Sequence, residues 1–210
     1  MRNFFLIILV CITNLACSEK DTAEHALSHK ATPPQSRSIE AIADEYLAAL
    51  LVRHPEIGTY YSLPSVQHDR LFDNSLSALT AWQAREDVWL QELEDMGSPA
   101  QVGSRDWVTY GILHETLAGE KASRSCRREL WSASTATAWY TDLPSLFEIQ
   151  PLDTPKRQQQ ALDRLAALPI YIDTEITNLR QGLLEGFSAP RVTVEKVPSA
   201  VRALLADDSP

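Results

Sequence analysis

Glycine is scarce, with seven in 210 residues scattered along the chain, so no Gly-rich loop is available to cradle a phosphate. Cysteine is scarcer still: Cys11, Cys17 and Cys126 are the whole set. No internal run of about 18 apolar residues occurs, so no transmembrane helix is expected after the N-terminus. Positive charge is also short, 19 Lys and Arg against 28 Asp and Glu, a net charge of −9. That balance excludes the basic footprint that nucleic-acid phosphates require, and it disfavours broad adhesion to an anionic membrane surface. Convincing period-two alternation is missing too. Val192-Thr193-Val194 is the best strand candidate and is too short to build a sheet.

What is present begins with an address. Arg2 supplies a positive start and Phe4 to Ile12 an apolar core, the pattern of a signal peptide over residues 1–17. Leu15-Ala16-Cys17 resembles a bacterial lipobox, which makes Cys17 the expected lipidation site, with Asn14 an imperfect fit. A plain secreted or periplasmic protein is the alternative. Lipidation implies the cell envelope, with the chain held to a membrane through its N-terminal lipid, and Ser18 fits outer-membrane sorting. With Cys11 removed and Cys17 acylated, only Cys126 remains, so no intramolecular disulfide is expected. A lone cysteine of this kind is expected to be a small buried residue. Residues 18–37, with Pro33-Pro34, read as a flexible tether. His25 and His29 lie four apart within it, a metal spacing on a helix but two solvated side chains in a tether.

Residues 38–210 read as one helical domain, and the fold class is all-α, an irregular antiparallel bundle. Ile39, Ile42, Ala43, Tyr46, Leu47 and Leu50 form an apolar stripe ended by His54-Pro55. A loop with Tyr60 and Tyr61 follows, the tyrosines expected to plug a gap between helices. Leu76, Leu79, Trp82, Val88, Trp89, Leu93 and Met96 mark a second helix closed by Gly97. Ser104 caps a third, with Trp107, Tyr110, Leu113, His114 and Leu117 on one face and Gly119 as its end. Residues 129–151 read as an irregular crossing. Thr154-Pro155 opens the longest periodic stretch, in which Leu162, Leu165, Leu168, Ile172, Ile176, Leu179 and Leu183 form the apolar stripe and Gly186 is the stop. Pro169 lacks an N–H and is expected to kink or split this helix into two arms.

No self-sufficient catalytic constellation is visible. His114-Glu115 begins HETLAGE, but a zinc peptidase of the His-Glu-x-x-His type needs a second His at position 118, which is Ala. Neither Gly-x-Ser-x-Gly nor Ser-x-x-Lys occurs. Asp173, Glu175 and Glu185 read as surface carboxylates engaged in salt bridges. Lys121, Arg124, Arg127 and Arg128 could hold an acidic group but read first as a solvated connection matched to acidic surface.

Four segments in order, HPEIGTYYS, LFDNSLSALTAWQAREDVWLQELEDM, DWVTYGILHETL and LPIYIDTEITNLRQGLLEGFSAPRVTVEKV, carry a family resemblance. From about Ile39 the chain resembles the N-terminal part of the bacterial "domain of unknown function 885" proteins. Pro169, Tyr171, Asp173, Asn178, Leu179, Arg180, Gly182, Gly186, Pro190 and Arg191 match the family pattern, and Pro198 departs from it. The resemblance implies the helical part of a secreted or lipid-anchored, zinc-peptidase-like hydrolase. In such proteins the His-Glu-x-x-His motif lies downstream of the matched stretch. It therefore implies a truncated chain, inactive alone, with no catalytic residue, metal ligand or cofactor of its own. Zinc belongs to full-length relatives, and a peptide substrate is expected only together with a C-terminal part. The alternative is a non-catalytic helical envelope lipoprotein acting as a binding or structural module.

Overall fold

The computed structural model describes residues 37–63, 66–133 and 138–203. The signal peptide, Cys17, and the tether with His25 and His29 lie outside the described residues. Everything below concerns the unit that starts at Arg37.

The fold is all-α, with no strand among the described residues. Helix α1 (Ile39–Arg53), α3 (Leu76–Met96) and α4 (Arg105–Ser123) each begin after a capping serine, of which Ser104 is expected from the sequence. Ser38, Ser75 and Ser104 each accept a hydrogen bond from the backbone N–H three residues on, at 3.1–3.2 Å, satisfying a donor the helix leaves bare. These three helices enclose the apolar core of Ile42, Ala49, Trp89, Leu90, Leu93, Leu113 and Leu117. Each fully buried aliphatic side chain contributes about 1.5–3 kcal/mol to this packing. Tyr46, Trp82 and Trp89 add a tilted and edge-on aromatic cluster with centroids 5.5–6.1 Å apart. Within the expected stripes, Leu47 and Val88 instead face solvent and Leu90 goes inside.

Several elements differ from the sequence reading. The stretch after His54 is a short helix, α2 (Pro55–Tyr60), because Pro55 sits at the first helical position, where its missing N–H costs nothing. Gly58 faces Val66 there so closely that an added Cβ would lie 2.2 Å from its side chain. Tyr60 and Tyr61 are exposed and plug no gap. Helix α4 runs past Gly119 to Ser123, since one glycine inside a packed helix lowers stability without ending it. Residues 139–148 of the expected irregular crossing form α5 (Trp139–Glu148). Cys126 is exposed rather than buried.

The long helix α6 (Pro155–Glu185) is continuous through Pro169, not split. Pro169 is exposed, so the carbonyl it leaves without a donor faces water. Arg164 before it and Asn178 after it are both anchored, which holds the two halves in line. The larger correction concerns which face of α6 is inside. Leu162, Leu165, Ile176 and Leu183 are exposed. The inward seam lies one residue earlier: Ala161, Arg164, Leu168, Tyr171, Glu175, Asn178 and Gly182, alternately three and four residues apart. Gly182 is tight against the 3₁₀ turn Arg128–Leu130, where an added Cβ would lie 1.9 Å from the Leu130 carbonyl oxygen.

That seam is polar because of what it faces. Residues 66–75 run beside α6 almost without regular structure, so their backbone groups need partners from elsewhere. Side chains supply them. Arg164 Nε donates to the Arg70 carbonyl at 3.0 Å and Asn178 Nδ2 to the Asn74 carbonyl at 2.8 Å. Gln150 Nε2 donates to the His68 carbonyl at 3.0 Å, and Glu56 Oε1 accepts the Phe72 N–H at 2.7 Å. Beyond α6, Gly186 takes a left-handed φ of 85° as the helix stop. Short helices α7 (Arg191–Val194) and α8 (Val197–Ala203) follow, with Pro198 tolerated in the first turn of α8.

Candidate functional site

Between α2, α5 and the middle of α6 lies a cleft of about 400 Å³. Its apolar wall comes from Ile57, Leu143 and Leu146, and its aromatic wall from Tyr60, Phe72, Trp139 and Tyr171. Four acidic residues, Glu56, Glu129, Asp142 and Glu175, line the same space. Helical spacing places Tyr171, Glu175 and Asn178 on one face of α6, and the strap 66–75 carries Phe72 and Asn74 opposite them. Phe72 and Tyr171 meet edge to face, centroids 5.4 Å apart. The Arg53 guanidinium lies 5.6 Å from the Phe72 ring centre and donates to the Asp73 carbonyl, so this cation is already engaged.

The electrostatics of the cleft follow from burial. Desolvation pushes the Glu175 carboxyl up from its ordinary range, and the single hydrogen bond from Asn74 Nδ2 at 3.2 Å offsets this only partly. Glu56 is raised by desolvation as well, against the Phe72 N–H bond and the charges of Arg164 and Arg53. The Tyr171 hydroxyl is raised by desolvation first and then by Glu175, Glu56 and Asp142. Burial and the neighbouring Arg53 lower the His54 imidazole, which keeps it neutral. A partly desolvated carboxylate beside aromatic faces attracts a cation, through charge pairing and through the ring quadrupoles. Perturbed acids in a cleft make it a candidate functional site.

The residues singled out in the sequence scatter. Glu175 is a cleft residue with no salt bridge among the described residues, which corrects its reading as a surface ion pair. Asp173 is exposed, and Glu185 pairs with Arg127 at 3.4 Å. The basic run is neutralised: Lys121 pairs with Asp87, Arg124 with Glu86 and Asp87, Arg127 with Glu129, and Arg128 with Glu120. His114 stacks on Tyr110 at 5.5 Å and lies 3.9 Å from Glu94, with Glu115 pointing to solvent. Among the described residues no group of three or more His, Cys, Asp or Glu side chains is placed to hold a metal ion. No helix among the described residues is long and apolar enough to cross a membrane.

Sequence reasoning missed Glu56, Phe72 and Trp139 as site residues. The hints to the place were Tyr171 and Asn178 of the family pattern, Glu175 beside them, and the aromatic loop that holds Tyr60.

A family model described as "Bacterial protein of unknown function (DUF885)" matches residues 55–210, a span that contains the whole cleft except Arg53 and His54. No curated protein matches the chain.

Proposed function

The chain belongs to the DUF885 family of bacterial proteins, and from that premise we propose that it forms the helical substrate-holding part of an exported, peptidase-like hydrolase. In this reading Cys17 is lipidated and holds the protein to the cell envelope through the N-terminal lipid, facing the periplasm from the outer membrane. On that reading the chain supplies the groove, and zinc belongs to full-length relatives. The observation that carries the reading is the aromatic cleft with its two desolvated carboxylates, Glu56 and Glu175. Its chemistry suits a peptide bearing an ammonium or guanidinium group, the rings packing on the alkyl stem and the carboxylates taking the charge.

The test is titration of the full chain with tripeptides containing lysine, arginine or norleucine, read by tryptophan fluorescence from Trp139. Saturable binding of the two cationic peptides is expected, weakened about tenfold or more by Glu175→Gln, with the norleucine peptide weak throughout. Binding that ignores the substitution would place the ligand elsewhere. A second reading, a non-catalytic helical module of the envelope, is favoured by a different feature. Leu162, Leu165, Ile176 and Leu183 on α6 are large apolar side chains left exposed, and exposed apolar surface is of the kind that meets a partner. Failure of every peptide to bind would leave that reading in possession.

A further inference from the structure

Helix α6 is amphipathic with its faces reversed. Arg164, Glu175 and Asn178 lie on its inner face, while Leu162, Leu165, Ile176 and Leu183 are between 39% and 67% exposed. The outer apolar residues follow a heptad pattern. Leu162, Pro169, Ile176 and Leu183 recur every seven residues and hold position a. Leu165, Ile172 and Leu179 fall three residues after them and hold position d. Three heptads of this kind are the seam by which one helix packs along another. Left in water, these side chains forgo the burial that α1, α3 and α4 give to theirs. The inner face of α6 is thus matched to its own fold, and the outer face is matched to a second helix.

Two charged residues beside the seam say which helix. Asp173 and Arg180 each follow a position-a residue by four, so both hold position e, on the same flank and about 10 Å apart along the axis. Both are exposed, and neither carboxylate nor guanidinium has an ion pair or hydrogen bond among the described residues. Arg157 and Glu185 at the ends of α6, by contrast, are paired. A two-fold axis perpendicular to two antiparallel helices carries each flank onto the same flank of the other copy, so e faces e. With that axis near Thr177, Asp173 of each copy lies beside Arg180 of the other. The same axis stacks Ile172 on Leu183, and Ile176 on Leu179, of the second copy, four apolar layers by symmetry. All four lie beyond Pro169, whose missing side-chain reach leaves them intact. Parallel pairing offers no such match. There e faces g, and the g positions Leu168, Glu175 and Gly182 belong to the inner face.

We propose that the outer face of α6 is the seam of an antiparallel homodimer, in which two copies of this chain bury Ile172, Ile176, Leu179 and Leu183 and exchange Asp173–Arg180 ion pairs. The seam lies on a different face of α6 from Tyr171, Glu175 and Asn178, so it stands whether or not the cleft binds peptides. Sedimentation of the full chain over a concentration series tests it, with a reductant present because Cys126 is exposed. A reversible dimer is expected. Asp173→Arg and Arg180→Asp each set like charges opposite one another twice, and each should weaken association about tenfold. The two substitutions combined restore opposite charges across the axis and should recover the native association. Both positions are exposed, so helix content read by circular dichroism is expected to stay native in all three variants. The proposal is overturned by a monomer at every concentration, by a dimer that ignores both single reversals, or by a double variant as weak as the singles. The first result gives the seam to a different partner, and the other two put the dimer contact elsewhere.

Discussion

At the scale of single residues, the two most informative positions are Gly182 and Glu175. Gly182 belongs to the family pattern, and its reason is a close approach: a methyl group there meets the Leu130 carbonyl oxygen at 1.9 Å, a backbone atom that cannot swing aside. Gly182→Ala should destabilise the chain by about 2 kcal/mol or more, read by urea denaturation, despite the better helix propensity of alanine. Glu175 behaves oppositely. Burial raises its folded-state pKa above the 4.5 of the free side chain. The ionised form is therefore disfavoured by folding. Its stabilising, protonated form is fully populated below the unfolded pKa, and that contribution is lost as pH rises through the folded value. Glu175→Gln mimics the protonated state and keeps an oxygen for Asn74. It should melt higher than the native chain at pH 7, with the advantage vanishing below about pH 4.

At the scale of elements, α6 is the axis, and its behaviour at Pro169 is the instructive case. A proline in a helix interior removes one hydrogen bond and crowds the carbonyl four residues back. Tertiary anchoring by Arg164, Tyr171 and Asn178, whose partners all lie in residues 59–74 or on Gln150, overrides that local preference. Pro169→Ala should restore the missing bond at an exposed position and raise the melting temperature, by about 1 kcal/mol or more of added stability. Circular dichroism melts check this, and a loss of stability would overturn the view that Pro169 weakens the helix where it stands. The periodic stripe of α6 was legible in the sequence, but not its destination. Polar side chains at the neighbouring positions are the buried ones because they pair with the unpaired backbone of residues 66–75.

At the scale of the whole molecule, a tight helical core of α1, α3 and α4 supports a more polar half in which α2, α5 and α6 gather around the strap. The cleft lies in that second half, where polar groups are plentiful and apolar filling is thin. The proposed envelope anchor belongs to this scale as well. Replacing Cys17 by serine should move the exported protein from the detergent phase to the aqueous phase on partitioning, since acyl chains supply about 0.8 kcal/mol of membrane affinity per buried methylene. Equal partitioning of both forms would remove the lipid from the account.

The sequence by itself determined the all-α class, the caps Ser104 and Thr154, the helix stops Gly97 and Gly186 and the family, because caps and 3.6-residue periodicity are local signals written in neighbouring residues. It also placed Leu93, Leu113 and Leu117 correctly in the core, where helix packs on helix and apolar faces meet their like. Only the tertiary structure decided the rest. Whether Leu162 or Arg164 of α6 lies inside depends on whether the neighbour is an apolar helix or bare backbone. Whether Glu175 is a surface charge or a cleft carboxylate depends on where Phe72 and Asn74 run, about a hundred residues away in sequence. Those outcomes turn on hydrogen-bond demand between distant segments, which no local pattern records.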